Sequence, residues 1–177
     1  MKNNVQLQKL VLGASLTAVS IVIDVFFKVI LNLPNFGLPF YAIPIIIGGI
    51  VLGPVYGGIM GFIGDAIGML ILGGDYLPFF VVAPIMWGVI PGLILNKRFS
   101  VFNLAWVILL SYAVANISNT LAMLFYWPRE VTLAWFVLRL VLIPFNAIII
   151  FVIVKDIHKK LIPFFERYTF VKEEIKA

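Results

Sequence analysis

The chain has 177 residues, of which 63% are hydrophobic and 12% are charged, and its formal net charge is +5. Soluble domains carry about 25% charged residues, so this composition excludes an ordinary soluble protein and predicts one membrane domain over residues 1–177. Cysteine is absent and His158 is the single histidine. Disulfides, thiolate catalysis and cysteine- or histidine-rich metal sites are therefore excluded.

Six apolar segments predict an all-α integral membrane bundle of six transmembrane helices. The segments lie near residues 10–31, 41–52, 55–72, 77–95, 101–126 and 133–154, and a basic tail follows over 155–177. The first segment has spanning length and lacks a small-x-small cleavage site, so we interpret it as a retained helix rather than a signal peptide. The second is short for a span, and we expect it to be tilted, interfacial or partly buried in protein.

The distribution of basic residues predicts the orientation. Between Lys28 and Lys97 there is no basic residue, and the acids there are Asp65 and Asp75. Six crossings would place both termini and the 2–3 and 4–5 connections on one side, which then carries ten of the thirteen basic residues. Basic residues concentrate on the cytoplasmic side, so both termini are predicted to be cytoplasmic. This bias, together with anionic membrane lipid, accounts for the net charge, and no nucleic-acid partner is expected.

The first segment carries two features of interest. Ala14 and Ala18 are small residues four apart, a spacing that lets helices approach closely. Two interpretations remain open: packing against this protein's own helices, or docking against another membrane subunit. Asp24 and Lys28 form an acid-to-base pair at i,i+4, which is expected to neutralise itself near the outer end of the helix.

The third segment has glycines at steps of four, three and four residues, at 57, 61, 64 and 68. This spacing predicts a smooth helix face that allows close approach of another backbone. Asp65 borders that face. It either hydrogen-bonds a neighbouring helix or takes part in function, since charges retained in membrane segments are often functional.

Polar and aromatic residues are predicted to converge near the outer ends of the last three helices. Amides, indoles and a guanidinium at one depth suit a planar heteroaromatic ligand, which stacks on tryptophan and pairs with arginine. Thr132 is the expected N-cap of the last helix. The candidate ligand contacts are Tyr76, Trp87, Asn116, Asn119, Trp135 and Arg139. The alternative is that the tryptophans form an interfacial belt and the asparagines join helices.

Catalytic patterns are missing from the sequence. There is no Gly-x-x-x-x-Gly-Lys phosphate loop, no acidic cluster suited to a metal-assisted transferase, and no nucleophile–base pair. We therefore expect no catalytic residue, no bound metal and no cofactor held by this chain, and predict that it is not an enzyme.

The chain resembles the S components, the substrate-binding membrane subunits, of energy-coupling factor (ECF) vitamin transporters. The resemblance rests on six-helix length, the Ala14 and Ala18 pair, the small-residue-rich run at 43–58, and the stretches at 64–68 and 119–121. The last two stretches are most similar to the folate and hydroxymethylpyrimidine branch of that family.

This resemblance implies a bacterial plasma-membrane protein that captures a vitamin at the outer face. A transmembrane coupling subunit and two ATPase subunits, which use ATP, would complete the importer. In that family the alanine pair faces the coupling subunit. The ligand pocket lies among the 1–2 and 3–4 loops and the outer parts of helices four to six.

Folate-type sequences carry a basic residue just before the second helix, where this chain has an uncharged stretch at 35–40. A hydroxymethylpyrimidine is therefore at least as strongly expected as folate, and pantothenate remains open. The alternative function is a stand-alone small secondary carrier or channel that uses Asp65.

Overall fold

The computed structural model describes residues 2–30, 38–73, 77–96 and 98–165, and these ranges contain helices and no strand. The helices are α1 (Lys2–Val25, continued by a π-helical turn Phe26–Ile30), α2 (Ala42–Leu52), α3 (Pro54–Leu72), α4 (Val82–Leu95, preceded by a 3-10 turn Pro78–Val81), α5 (Val101–Tyr126) and α6 (Arg129–Phe165). The all-α class is confirmed, and each predicted segment coincides with one helix.

Two details of α6 differ from the prediction. The helix begins at Arg129 rather than near 133 and continues to Phe165, so the first part of the predicted tail 155–177 is helical. Thr132 is not an N-cap. It lies inside the first turns, and its hydroxyl donates to the Pro128 carbonyl at 3.1 Å. Lysines after 154 marked the end of the apolar segment, but lysine is a good helix former and does not end a helix.

Five of the described helical segments are long and apolar enough to cross a membrane: α1 with its π-helical turn, α3, the 3-10 turn with α4, α5, and α6. The exception is α2, whose 11 residues extend about 17 Å, against about 30 Å of hydrocarbon. Every residue from Ala42 to Ile50 is buried, in contact with α1, α3, α4 and α6. Of the three expectations for this segment, burial in protein is the one observed, and a sixth full crossing stays a prediction.

The connection between α2 and α3 is as tight as the sequence suggests. Gly53 adopts φ 93°, a conformation that L side chains rarely take, and its N–H donates to the Gly49 carbonyl. Pro54 then starts α3 at a position where its missing N–H costs nothing. The chain therefore reverses direction within a single residue.

The start of α1 and the C-terminal part of α6 lie at the same end of the bundle, which we call the terminal end. The Asn96 side chain donates to the Ile50 carbonyl at 2.8 Å, which joins the end of α4 to the end of α2. Phe99 stacks on His158 with ring centroids 3.4 Å apart, and the first half of α1 packs on Leu52. Which side of the membrane this end faces remains a prediction.

The predicted glycine face of α3 is buried and contacts three helices, α1, α2 and α4. A Cβ atom on Gly57 would lie 2.6 Å from the Gly88 carbonyl oxygen of α4. At Gly61 it would meet the Pro84 carbonyl, also of α4. At Gly64 the nearest atom would be Thr17 Cγ2 of α1 at 3.8 Å. The closest backbone approach is therefore to α4, with the α2 backbone at Gly49 also close to Gly57, and the end of the face away from α2 packs on α1.

Gly61→Ala should destabilise the protein by about 1–3 kcal/mol, because the new methyl group meets backbone rather than a movable side chain. Gly64→Ala is the matched control, since a methyl group there makes only ordinary contacts. Thermal unfolding of the detergent-purified variants tests this. Equal melting temperatures for Gly61→Ala and the wild type would contradict the close α3–α4 packing.

Candidate functional site

A cavity lies in the half of the bundle beyond the start of α2. The Ser20 hydroxyl of α1 donates to the Tyr41 carbonyl at 2.7 Å, so α2 begins level with Ser20. From there α1 and its π-helical turn continue to Ile30, roughly 15 Å further from the terminal end. Among the described residues no helix fills the centre of the bundle at this level, and a cavity of about 170 Å³ is found there.

We call this space the inner cavity. It is lined by Asp24, Phe27, Lys28, Leu38, Pro39, Tyr41, Trp87, Tyr112, Ala115, Asn116, Asn119, Arg139 and Ile143. Trp87 of α4 is 1% exposed, and Tyr112 of α5 packs edge-on against it with ring centroids 4.8 Å apart. Two aromatic rings thus form a rigid apolar wall beneath polar side chains from α1, α5 and α6.

Three buried polar atoms at the inner cavity lack hydrogen-bond partners within the described part of the chain. They are Asn116 Oδ1, on a side chain that is 6% exposed, Arg139 Nη1, and the Tyr112 hydroxyl oxygen. Leaving a buried donor or acceptor unsatisfied costs about 1–3 kcal/mol. An acceptor and a charged donor are therefore both available to a molecule in the cavity.

The predicted pair of Asp24 and Lys28 is confirmed, with Lys28 Nζ 2.7 Å from Asp24 Oδ2. Its position is informative, because both side chains line the inner cavity. Lys28 belongs to the π-helical turn, a feature frequent at functional sites. With Lys28 neutralised by Asp24, Arg139 is the cation at the cavity that has no ion pair among the described residues.

Four of the six predicted contact residues meet at the inner cavity: Trp87, Asn116, Asn119 and Arg139. Trp135 does not reach it. It lines a second cavity of about 150 Å³, the outer cavity, which it shares with Arg139. Tyr76 lies outside the described residues. That these side chains contact a ligand stays a prediction.

Sequence reasoning missed Tyr41, Tyr112 and Phe27 as lining residues and gave the Asp24–Lys28 pair no role at a cavity. The sequence spacing of a tyrosine in an apolar segment does not show whether its side chain lines a cavity or packs in the core. The charged pair did carry a usable signal, since charges in membrane segments are usually retained where they face a cavity.

Asp65 does not line the inner cavity. It borders a small cavity of about 40 Å³ together with Ser20, Asp24, Lys28, Tyr41 and Gly64. Among the described residues no group of three or more histidine, aspartate or glutamate side chains is placed to hold a metal ion.

The two alanines of α1 are exposed, whereas Gly13, Thr17 and Ser20 of the same helix are buried. The helix therefore packs within this chain through the face that carries Gly13, Thr17 and Ser20. Ala14 and Ala18 are left uncovered by the described part of the protein.

Comparison with protein families gives one match to most of the chain. The family model described as "ECF transporter, substrate-specific component" matches residues 8–157, from the first half of α1 into α6. No curated protein and no solved structure gave a match. The resemblance deduced from the sequence is confirmed at the level of the family.

Proposed function

We propose that this chain, which belongs to the ECF transporter family as a substrate-specific component, binds a vitamin or vitamin precursor in the inner cavity. Its family and its apolar helices make it a multi-pass transporter subunit of the cell membrane rather than a member of an enzyme family. The observation that carries the proposal is that two buried atoms above the Trp87–Tyr112 wall, Asn116 Oδ1 and Arg139 Nη1, have no hydrogen-bond partner among the described residues.

These groups define the chemistry of the ligand. A flat ring can lie against the aromatic wall. An N–H or O–H of the ligand can donate to Asn116 Oδ1. A carbonyl or carboxylate oxygen of the ligand can accept from the Arg139 guanidinium, whose donors suit planar acceptors.

The size and charge of the inner cavity limit the part of the ligand that lies there. Its 170 Å³ is similar to an engineered protein cavity of about 150 Å³ that binds benzene, so a single six-membered ring fits. Since Lys28 is already paired with Asp24, Arg139 can compensate at most one negative charge. A hydroxymethylpyrimidine fits this cavity, pantothenate fits its charge, and folate would extend beyond it.

We place the terminal end in the cytoplasm and the two cavities towards the outside. The described basic residues support this orientation, because five of them lie in connections or helix ends at the terminal end: Lys9, Arg98, Lys155, Lys159 and Lys160. An excess of lysine and arginine in the connections and helix ends of one side is typical of the cytoplasmic side.

The uncovered Ala14–Ala18 face is proposed to dock a transmembrane coupling subunit, through which two ATPase subunits drive uptake with ATP. Small residues four apart on an exposed helix face let a second helix approach closely in lipid. We propose that this chain itself holds no cofactor and no catalytic residue.

A stand-alone carrier based on Asp65 is the second candidate. The small cavity at Asp65, with Asp24 and Lys28 on its wall, is the observation in its favour. Ion-dependent flux through liposomes containing this chain alone, lost in Asp65→Asn, would establish it and contradict the subunit proposal.

Arg139→Met should weaken ligand binding at least tenfold, because a hydrogen bond to a charged group contributes about 1.5–3 kcal/mol. A thermal-shift screen of B vitamins and their precursors identifies the ligand, since binding to the folded state raises the melting temperature. Arg129→Met is the matched control, because Arg129 is exposed at the start of the same helix. Equal ligand-induced shifts in both variants would contradict the assignment of Arg139.

Ala14→Trp and Ala18→Trp should abolish ATP-driven uptake and co-purification with the coupling subunit, because a bulky side chain prevents close helix approach. Ligand binding by the purified chain should be unchanged, which shows that the variants are folded. Ala113→Trp, at an exposed position of α5, is the control. Full uptake by both α1 variants would contradict this docking face.

A further inference from the structure

The outer cavity suggests that the site holds more than one ring. It is lined by Phe80, Met123, Trp127, Val131, Trp135 and Arg139, and its volume of about 150 Å³ is close to that of the inner cavity. Among the described lining residues, Arg139 is the one that both cavities share.

The two cavities are stacked along the seam between α5 and α6. Met123 of the outer cavity follows Asn119 of the inner cavity by four residues, which is about one helical turn. On the antiparallel helix α6, Trp135 precedes Arg139 by the same interval. Both helices therefore place the outer cavity about 6 Å further from the terminal end.

The chemistry changes across Arg139. The inner cavity offers amides, tyrosines and the Asp24–Lys28 pair, whereas the outer cavity apart from Arg139 is lined by aromatic and aliphatic side chains. Phe80 packs edge-on against Trp127 with centroids 5.8 Å apart, and Trp135 enters from α6. The guanidinium at the boundary keeps a buried Nη1 without a partner in the described residues.

We propose that the ligand has two parts and occupies both cavities. A compact hydrogen-bonding ring lies in the inner cavity, a second ring lies among Phe80, Trp127 and Trp135, and an acceptor oxygen near the junction pairs with Arg139. This inference rests on the proposed function and specifies its substrate class. It makes Trp135 a specificity-determining residue, because it would contact only the second ring.

Equilibrium titration of the purified full chain with two matched pairs of probes tests the proposal. The pairs are pterin-6-carboxamide with its N-phenyl amide, and 4-amino-2-methylpyrimidine-5-carboxamide with its N-phenyl amide, all of which carry a carbonyl oxygen at the junction. In each pair the second compound adds a ring to the first. Dissociation constants are measured for the wild type, for Trp135→Ala, and for Trp106→Ala, which removes an exposed tryptophan of α5.

In at least one pair we expect the two-ring probe to bind about tenfold more tightly than its one-ring partner, as aromatic contacts of this kind allow. Trp135→Ala should remove that advantage and leave the one-ring probe unaffected, and Trp106→Ala should change neither.

One-ring and two-ring probes that bind equally well, or a loss in Trp135→Ala that is the same for both, would overturn the two-part ligand while leaving the proposed function intact. The equal loss would instead identify the outer cavity as a passage to the inner one. Failure of all four probes to bind the wild type would overturn this inference, and a melting-temperature shift with another vitamin, such as pantothenate, would then keep the proposed function intact.

Discussion

The length of α2 is the constraint on which the rest of the structure depends. Its 11 residues begin level with Ser20, are buried through Ile50, and fill the centre of the bundle from there to the terminal end. The longer helices around it continue beyond that level. Glycines at 57, 61 and 88 close α3 onto α4 beside α2, so the unfilled volume is confined to the other half of the bundle.

The same constraint explains where polar groups are tolerated. In a bilayer, charges and amides are retained where they pair or face a cavity. The Asp24–Lys28 pair, Asn116 and Arg139 all lie at the level that α2 leaves open, and so does the Trp87–Tyr112 wall. A single short helix thus both creates the cavity and permits the polar chemistry that a ligand would recognise.

Much of this arrangement could be predicted because glycine, proline and charged residues mark the helix ends clearly. Gly53 and Pro54 predicted the tight connection between α2 and α3, in which Gly53 has a positive φ. Counting turns from the helix ends placed Trp87, Asn116, Asn119 and Arg139 at one depth. The predicted end of α6 was wrong because lysines end an apolar segment without ending a helix. Tyr41 and Tyr112 were missed, and Trp135 fell in the neighbouring cavity, because which face a residue presents depends on helix rotation and on packing between distant segments.

Thiol labelling in intact cells tests most directly whether the volume beyond α2 is a water-filled cavity open to the outside. The chain has no cysteine of its own, so Asn119→Cys, at the cavity, and Ile117→Cys, on the exposed outer face of the same helix, give an unambiguous comparison. With a membrane-impermeant maleimide, we expect Asn119→Cys to react and Ile117→Cys, facing lipid, to remain unlabelled. Glu130→Cys, at an exposed position in the first turn of α6, shows that the reagent reaches the outer side. An unreactive Asn119→Cys beside a reactive Glu130→Cys would contradict the account.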